Sequence, residues 1–322
     1  MQLSTLVDVL PPAYQMELGT PVLALGSCFA ERVGERLSRA FFPVTANPTG
    51  IYYNPLSLAE MLRPTAKAPE LFLHGGLWRS LDHHSSLSGR DLRQTEKRFE
   101  KAEQSRLQAL DGAQVLLLTL GTAQVWKTVS GGRVVANCHR LPSSMFSRSR
   151  LICEECVDVL KPLLHSWIDA REGRQVVLTV SPVRYLRDGL VDNSRGKAVL
   201  LLVCELLERS HPGINYFPSY EIFLDELRDY RFYESDLVQP NSVGVEYVWE
   251  KFRETYLSSQ AQSRLPLIDR IQKLAEHRLT ERSRPRELAT KGLALLEQLV
   301  SLEPQVEVSA VRRQFQDWAS RS

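Results

Sequence analysis

Three short segments carry side chains able to attack a carbonyl or stabilise charge, and each follows an apolar run. Gly26-Ser27-Cys28-Phe29-Ala30 comes after residues 21–25, Gly121-Thr122-Ala123 after 113–120, and Ser181-Pro182-Val183-Arg184 after 175–180. A serine behind a glycine at a strand-to-helix turn can face a cleft, with helix N-terminal amides aimed at a developing oxyanion. The same serine also fits a plain N-cap. Cys28 is a rival nucleophile by proximity, and its place before Phe29 fits a buried thiol as well. A hydroxyl or thiol of this kind needs a base. His83 and His84, beside Asp82, and His139, in Asn137-Cys138-His139, are the candidates, and each fits a loop that shapes or binds instead. His83, His84 and His139 with an acid could hold a metal, but adjacent histidines point apart and no paired ligand motif supports it.

The elements that must position these groups alternate. The runs 113–120 (AQVLLLTL) and 175–180 (QVVLTV) are apolar on both faces, as buried parallel strands are, and 214–217 is a weaker strand. Segments 30–40, 89–110, 151–170 and 192–210 have helical periodicity, so strand and helix repeat as in a parallel sheet covered by helices. The stretch 126–138, with Ser130-Gly131-Gly132 between β-prone runs, predicts a hairpin beside that sheet. After about Gln260, apolar residues recur at helical spacing in three groups. They run through Leu267, Ile268, Ile271, Leu274 and Leu279, then Leu288 to Leu302, then Val308 to Trp318, with breaks at Ser283-Arg284-Pro285 and Glu303-Pro304.

Gly26-Ser27-Cys28-Phe29-Ala30 resembles the name-giving motif of the GSCFA domain family. So do Asn47 to Pro55 (NPTGIYYNP), Asp82-His83-His84, Leu120 to Ala123, Ala136 to His139, Val180 to Arg184 and Asp225 to Tyr233, in order from about residue 20 to 256. GSCFA proteins look like relatives of the SGNH, or GDSL-like, hydrolases. The resemblance implies a three-layer α/β/α fold around a parallel sheet and cleavage of acyl esters, acetyl esters and acylated glycans among them. It implies Ser27 as nucleophile, with Ser27, Gly50, Gly121 and Thr122 around the oxyanion hole, Thr122 or nearby backbone replacing an absent asparagine. Asp236 then matches the triad acid in Asp236-Leu237-Val238-Gln239-Pro240, where Gln239 stands in place of the family histidine. Glutamine cannot take or return a proton, so the resemblance leaves two readings: an ester hydrolase with a weakened or rearranged triad, or a silent binding protein that keeps the cleft. Asn47, Trp78, Trp126 and Arg184, each beside a site loop, are candidate substrate contacts. The mixed segment 225–233 (DELRDYRFY) fits either a sugar-binding wall or a loop held by ion pairs and ring packing.

Composition sets outer bounds. The chain has 322 residues with 43% hydrophobic and 24% charged, an ordinary globular make-up. With 40 Lys and Arg against 38 Asp and Glu, its formal charge of +2 offers no electrostatic reason for a nucleic-acid or anionic-membrane partner. No P-loop lysine and no G-x-G-x-x-G after the first strand support nucleotide binding. Five cysteines, with Glu154-Glu155 inside the lone Cys-x-x-Cys pair, read as reduced thiols, and the N-terminal stretch lacks the pattern of a secretory leader; the expectation is a cytoplasmic protein. The chemistry needs no metal and no organic cofactor. The expected organisation is an SGNH-like α/β/α domain over 1–258 and a helical extension over 259–322, packed on the domain or on a second subunit.

Overall fold

The structure, a computed structural model, describes residues 5–66, 68–277 and 284–320. β1 (Val22–Gly26), α1 (Cys28–Arg39), β2 (Val44–Ala46) and α2 (Pro55–Met61) come first, then the small hairpin β3 (Phe72–His74) and β4 (Leu77–Arg79), and the long α3 (Leu92–Gly112). β5 (Val115–Leu120) leads into an antiparallel trio, β6 (Gln124–Thr128), β7 (Val134–Val135) and β8 (Phe146–Arg150). α4 (Cys153–Asp169), β9 (Gln175–Val180), α5 (Gly189–Ser210) and β10 (Ile214–Tyr216) continue the alternation. The one-turn α6 (Ser219–Glu221) and α7 (Ser242–Tyr256) then precede α8 (Ser259–Ala275), α9 (Pro285–Leu302) and α10 (Ser309–Ser320).

The main sheet runs β10-β9-β5-β1-β2 and every pair in it is parallel. Its three middle strands are buried along their whole length, as their unbroken apolar sequences require. Their side chains sort by the strand period of two. Val22 and Ala24 of β1, Val115 and Leu117 of β5 and Val177 of β9 enter one core with α1, α7 and the C-terminal helices. Leu23 and Leu25, Leu116, Leu118 and Leu120, and Val176, Leu178 and Val180 enter the other core with α4 and α5. The result is the three-layer α/β/α arrangement that the resemblance implies.

The hairpin over 126–138 begins earlier, at Gln124, pairs Trp126 with Val135, and gains a third strand, because β8 runs antiparallel to β6. β2, α2, β3, β4 and α7 add to the elements anticipated from sequence. Asn54 caps α2 by accepting from Ser57 N, with Pro55 in the first turn. The three C-terminal helices form as expected; Leu279 and Ser283 lie outside the described residues. They pack on the sheet's first face: Ile268, Leu296, Leu299, Phe315 and Trp318 share one core with Phe29 and Val33 of α1. Arg39 pairs with Glu276, and Gln272 Nε2 donates to Arg39 O at 2.7 Å.

Phe315 is fully buried, edge-on to Trp318 at 5.6 Å and against Gly292. Phe315→Ala is expected to lower the unfolding free energy by ~3–5 kcal/mol in urea titration. A loss under ~1 kcal/mol would mean that these helices are not coupled to the sheet core.

Candidate active site

In the main sheet, β1 lies between β2 and β5, so the chain reverses its direction of travel across the sheet at the β1–β5 seam. Ligands of open parallel sheets sit at that reversal, beyond the carboxyl ends of the strands. Here the seam leaves no room for a side chain at Gly26. Gly26 has φ +134°, and a Cβ on it would run into the Thr119 carbonyl. The Gly26 amide donates to Asn47 Oδ1 at 2.9 Å, while Asn47 Nδ2 reaches Glu31 Oε1 at 3.3 Å, so both ends of the Asn47 side chain are engaged in fixing this corner.

Ser27 follows as the N-cap of α1. Its Oγ accepts from Phe29 N at 3.2 Å, its amide donates to Thr119 O at 3.3 Å, and the residue is 1% exposed. Cys28 begins the helix and is half-buried. Gly50, at φ +98°, donates its amide to Asn47 O at 2.8 Å. The amides of Gly121 and Thr122 both donate to Tyr53 O, each at 2.9 Å. These loops therefore do meet around the corner, with their amides holding one another in place.

Asp236 and Gln239 stand together on a second loop, which Arg184 holds just past the end of β9. Asp236 is fully exposed and accepts from Gln239 N at 3.0 Å and Val238 N at 2.8 Å, which hold its carboxyl below the usual range. Gln239 O accepts from Glu234 N at 2.7 Å. Arg184 ties the loop down: its amide donates to Val238 O at 3.2 Å, and its guanidinium lies 4.2 Å from the Tyr233 ring centre and 5.1 Å from that of Tyr230.

The three candidate imidazoles each have partners of their own. His83 Nδ1 meets Ser80 Oγ at 3.1 Å, and its Nε2 is 3.7 Å from Glu103. His139 Nε2 donates to Ser80 O at 2.6 Å; burial, with Arg79 beside it, keeps this ring below the ordinary histidine range. His84 caps a short turn through Ser86 N and presses on Gly50. None of the three hydrogen-bonds Ser27. His83 and Glu103 join Arg106 on the wall of a cavity of about 610 Å³. Arg106 is 1% exposed and is saturated by Glu103 and by the carbonyls of Met61, Arg63 and Thr65. Burial pushes Glu103 up, but hydrogen bonds and charge from His83 and Arg106 outweigh it and leave the carboxyl lowered. Trp78 lines a neighbouring cavity of about 640 Å³, whereas Trp126 is flanked by Arg187 at 4.6 Å and Arg148 at 5.2 Å. Among the described residues no group of three or more His, Cys, Asp and Glu side chains could hold a metal ion, and no helix is long and apolar enough to cross a membrane.

The sequence profile of the GSCFA family matches residues 21–252, well over half of the chain and the whole of this frame. The chain belongs to the GSCFA family. Comparison with curated proteins and with solved structures brings no match.

One residue at the carboxyl edge of this GSCFA sheet escaped the sequence reading. Lys197 of α5 is 3% exposed, and its Nζ donates to Gly121 O at 2.7 Å and Ser181 O at 2.6 Å, just past the ends of β5 and β9. Burial pulls the amine from 10.5 to about 7, with an opposing pull upward from Cys28. Its signal was in the pattern: Lys197 lies on the stripe shared by Leu200, Cys204 and Leu207, all buried.

Below pH about 7 the folded chain must keep a buried ammonium. Between about 7 and 10.5 the unfolded chain binds a proton that the folded chain has released, so stability rises with pH. In urea titrations from pH 7 to 8.5, wild type should gain about 1–2 kcal/mol relative to Lys197→Met. Parallel curves for the two proteins would mean that Lys197 keeps its proton.

Proposed function

We propose that this GSCFA chain hydrolyses acyl esters, with acetyl esters of carbohydrate the foremost class, through a site rearranged from the SGNH pattern. The observation that carries the reading is Lys197, a buried amine at the carboxyl ends of β5 and β9 and within electrostatic reach of the β1–α1 corner. A nucleophile at that corner needs a group that accepts its proton and returns it to the leaving alcohol. Gln239 cannot do so, His83 and His139 are bonded to Ser80, and the Nδ1 of His84 is bonded to Ser86. An amine that loses its proton near pH 7 meets the requirement that an imidazole normally fills.

Charge on the tetrahedral intermediate falls to amides at the start of α1 and to Gly121 or Thr122. Tyr53 O accepts from both of the latter, so one can turn to an oxyanion while the other keeps the carbonyl satisfied. Gly50 and Asn47 hold the opposite loop in place. Trp126 with its flanking arginines, and Arg184 with Tyr230 and Tyr233, offer flat apolar faces edged with donors, suited to an acylated sugar. The substrate is a small ester or acylated glycan, with no nucleic acid or membrane involved, in a cytoplasmic setting.

A second reading is favoured by the Asp236 loop. The triad acid faces solvent and the histidine position is glutamine, as in a binding protein that has lost turnover and kept its cleft.

A panel of acetyl esters that includes an acetylated sugar separates the two. Wild type should show weak turnover above background, rising with pH through about 7 as Lys197 becomes a free amine. Lys197→Met should lower it by about 100-fold or more. Negligible and equal rates in both proteins would select the binding reading, and calorimetric titration with the same sugar esters would then find the ligand.

A further inference from the structure

We propose that Tyr220 is a positioning residue for Lys197: its ring face is the third partner of the ammonium, beside the two strand-end carbonyls. The consequence for turnover rests on the acyl-ester reading, whereas the contact itself does not. A charged Nζ carries three hydrogens, and it donates to two oxygens, Gly121 O at 2.7 Å and Ser181 O at 2.6 Å. Among the described residues no carboxylate pairs with it and no further oxygen takes its remaining N–H. The centre of the Tyr220 ring lies 5.7 Å from Nζ, within the range at which the negative face of an aromatic ring attracts a cation. Lys197 is almost fully buried, so water screens that attraction little.

The one-turn helix α6 brings the ring there. As β10 ends, Phe217 N donates to Leu178 O at 2.8 Å. Ser219 is fully buried; its hydroxyl donates to Val180 O at 2.9 Å and accepts from Thr179 Oγ1 at 2.6 Å. The turn is thereby fastened to the last two residues of β9, immediately before Ser181, whose carbonyl holds Lys197. Tyr220 follows Ser219 directly, and its half-buried ring packs on the core that contains Leu200 and Cys204 of α5. Glu221, the next residue, has both carboxylate oxygens engaged by Tyr216 OH, at 2.8 and 3.0 Å. The turn therefore offers the amine a ring and no free anion.

Two effects oppose each other at Nζ. Burial favours the neutral amine, and a ring face favours the ammonium. Cys28 of α1 also pulls the amine upward. Cys156 of α4 and Cys204 of α5, in the same core, are thiols that burial keeps neutral. On the far side of the ring, Tyr233, Glu221 and Asp225 push the Tyr220 phenol up and Arg184 pulls it down, with burial the largest effect, so the ring stays uncharged. Without the ring's negative face, Lys197 should release its proton at a lower pH.

The test uses the full chain as wild type, Tyr220→Phe, Tyr220→Leu and Tyr220→fluorophenylalanine, the last with a ring of nearly unchanged shape whose negative face is weakened. Urea titration between about pH 5 and 8.5 reads the pH at which stability begins to rise, each chain being referred to the same chain with Lys197→Met. Wild type and Tyr220→Phe should begin to gain stability near pH 7. Ring fluorination and Tyr220→Leu should move that onset down by about 0.5–1 pH unit. An onset that fluorination leaves in place or moves up overturns the proposal, and so does the lack of any onset in wild type. Tyr220→Phe moving it as far as fluorination does would assign the effect to the hydroxyl and overturn the ring's role. If Tyr220→Leu does not fold, the fluorinated chain decides. Turnover of p-nitrophenyl acetate is followed over the same range, and its pH midpoint should move with the stability onset while KM holds. A moved onset with no ester turnover in any chain leaves the ring's role standing and fails the acyl-ester reading alone.

Discussion

The close approach of β1 to β5 is the constraint on which the rest of the site depends. Gly26 can pass the Thr119 carbonyl only because it has no side chain and adopts a left-handed φ of +134°. That passage brings the end of β1 level with the end of β5, so that α1 starts directly over the seam. Ser27 bonds Thr119 O through its amide, Asn47 bonds Gly26, and Tyr53 O collects the amides of Gly121 and Thr122. Remove the glycine and the three loops lose their common reference. A β-carbon there forces the strands apart at the one place where the cleft needs them closest.

The sheet supports this corner from both sides by different means. On one face, aromatic packing reaches from Phe217, Phe252 and Tyr256 to the C-terminal helices, with ring centres 4.9 to 5.8 Å apart. On the other, α5 delivers Lys197 to two strand-end carbonyls that would otherwise face a dry interior. The Arg106 cluster plays a related part at the periphery. It ties α3 to the end of α2 through Met61 O and to the carbonyls of Arg63 and Thr65, and it absorbs Glu103 and His83 into a closed set of bonds. A histidine and a carboxylate in contact thus mark a clamp here, because every strong donor of Arg106 is already committed.

Much of the fold was legible because apolar runs on two-sided strands leave few alternatives. Residues 113–120 and 175–180 contain no alternation, so they had to be central strands, and the glycine or serine after each had to lie at the carboxyl edge. Short elements such as β2, at three residues, carry too little pattern to read. The corner of the candidate site was legible and the buried lysine beside it was not. Ser27, Gly50 and Gly121 follow from local sequence and family resemblance, whereas Lys197 sits inside a helix with nothing local to distinguish it from a solvent-facing lysine. Only the phase of Leu200, Cys204 and Leu207 places it inward, and that phase was visible but unread.

Exposure of Asp236 and burial of Lys197 bear on one question, how a proton is carried at such a site. In a serine triad, a carboxylate must face an imidazole that faces the hydroxyl, which needs the acid shielded from water. Asp236 instead turns both bonding partners back onto its own loop, through Val238 N and Gln239 N, and stays in solvent. A lysine held by carbonyls needs no orienting acid: Gly121 O and Ser181 O fix its direction, and burial alone brings its proton affinity into range. Under the acyl-ester reading, an amine so placed does the work of an imidazole, and with Gln239 in the imidazole's position Asp236 has no ring to orient.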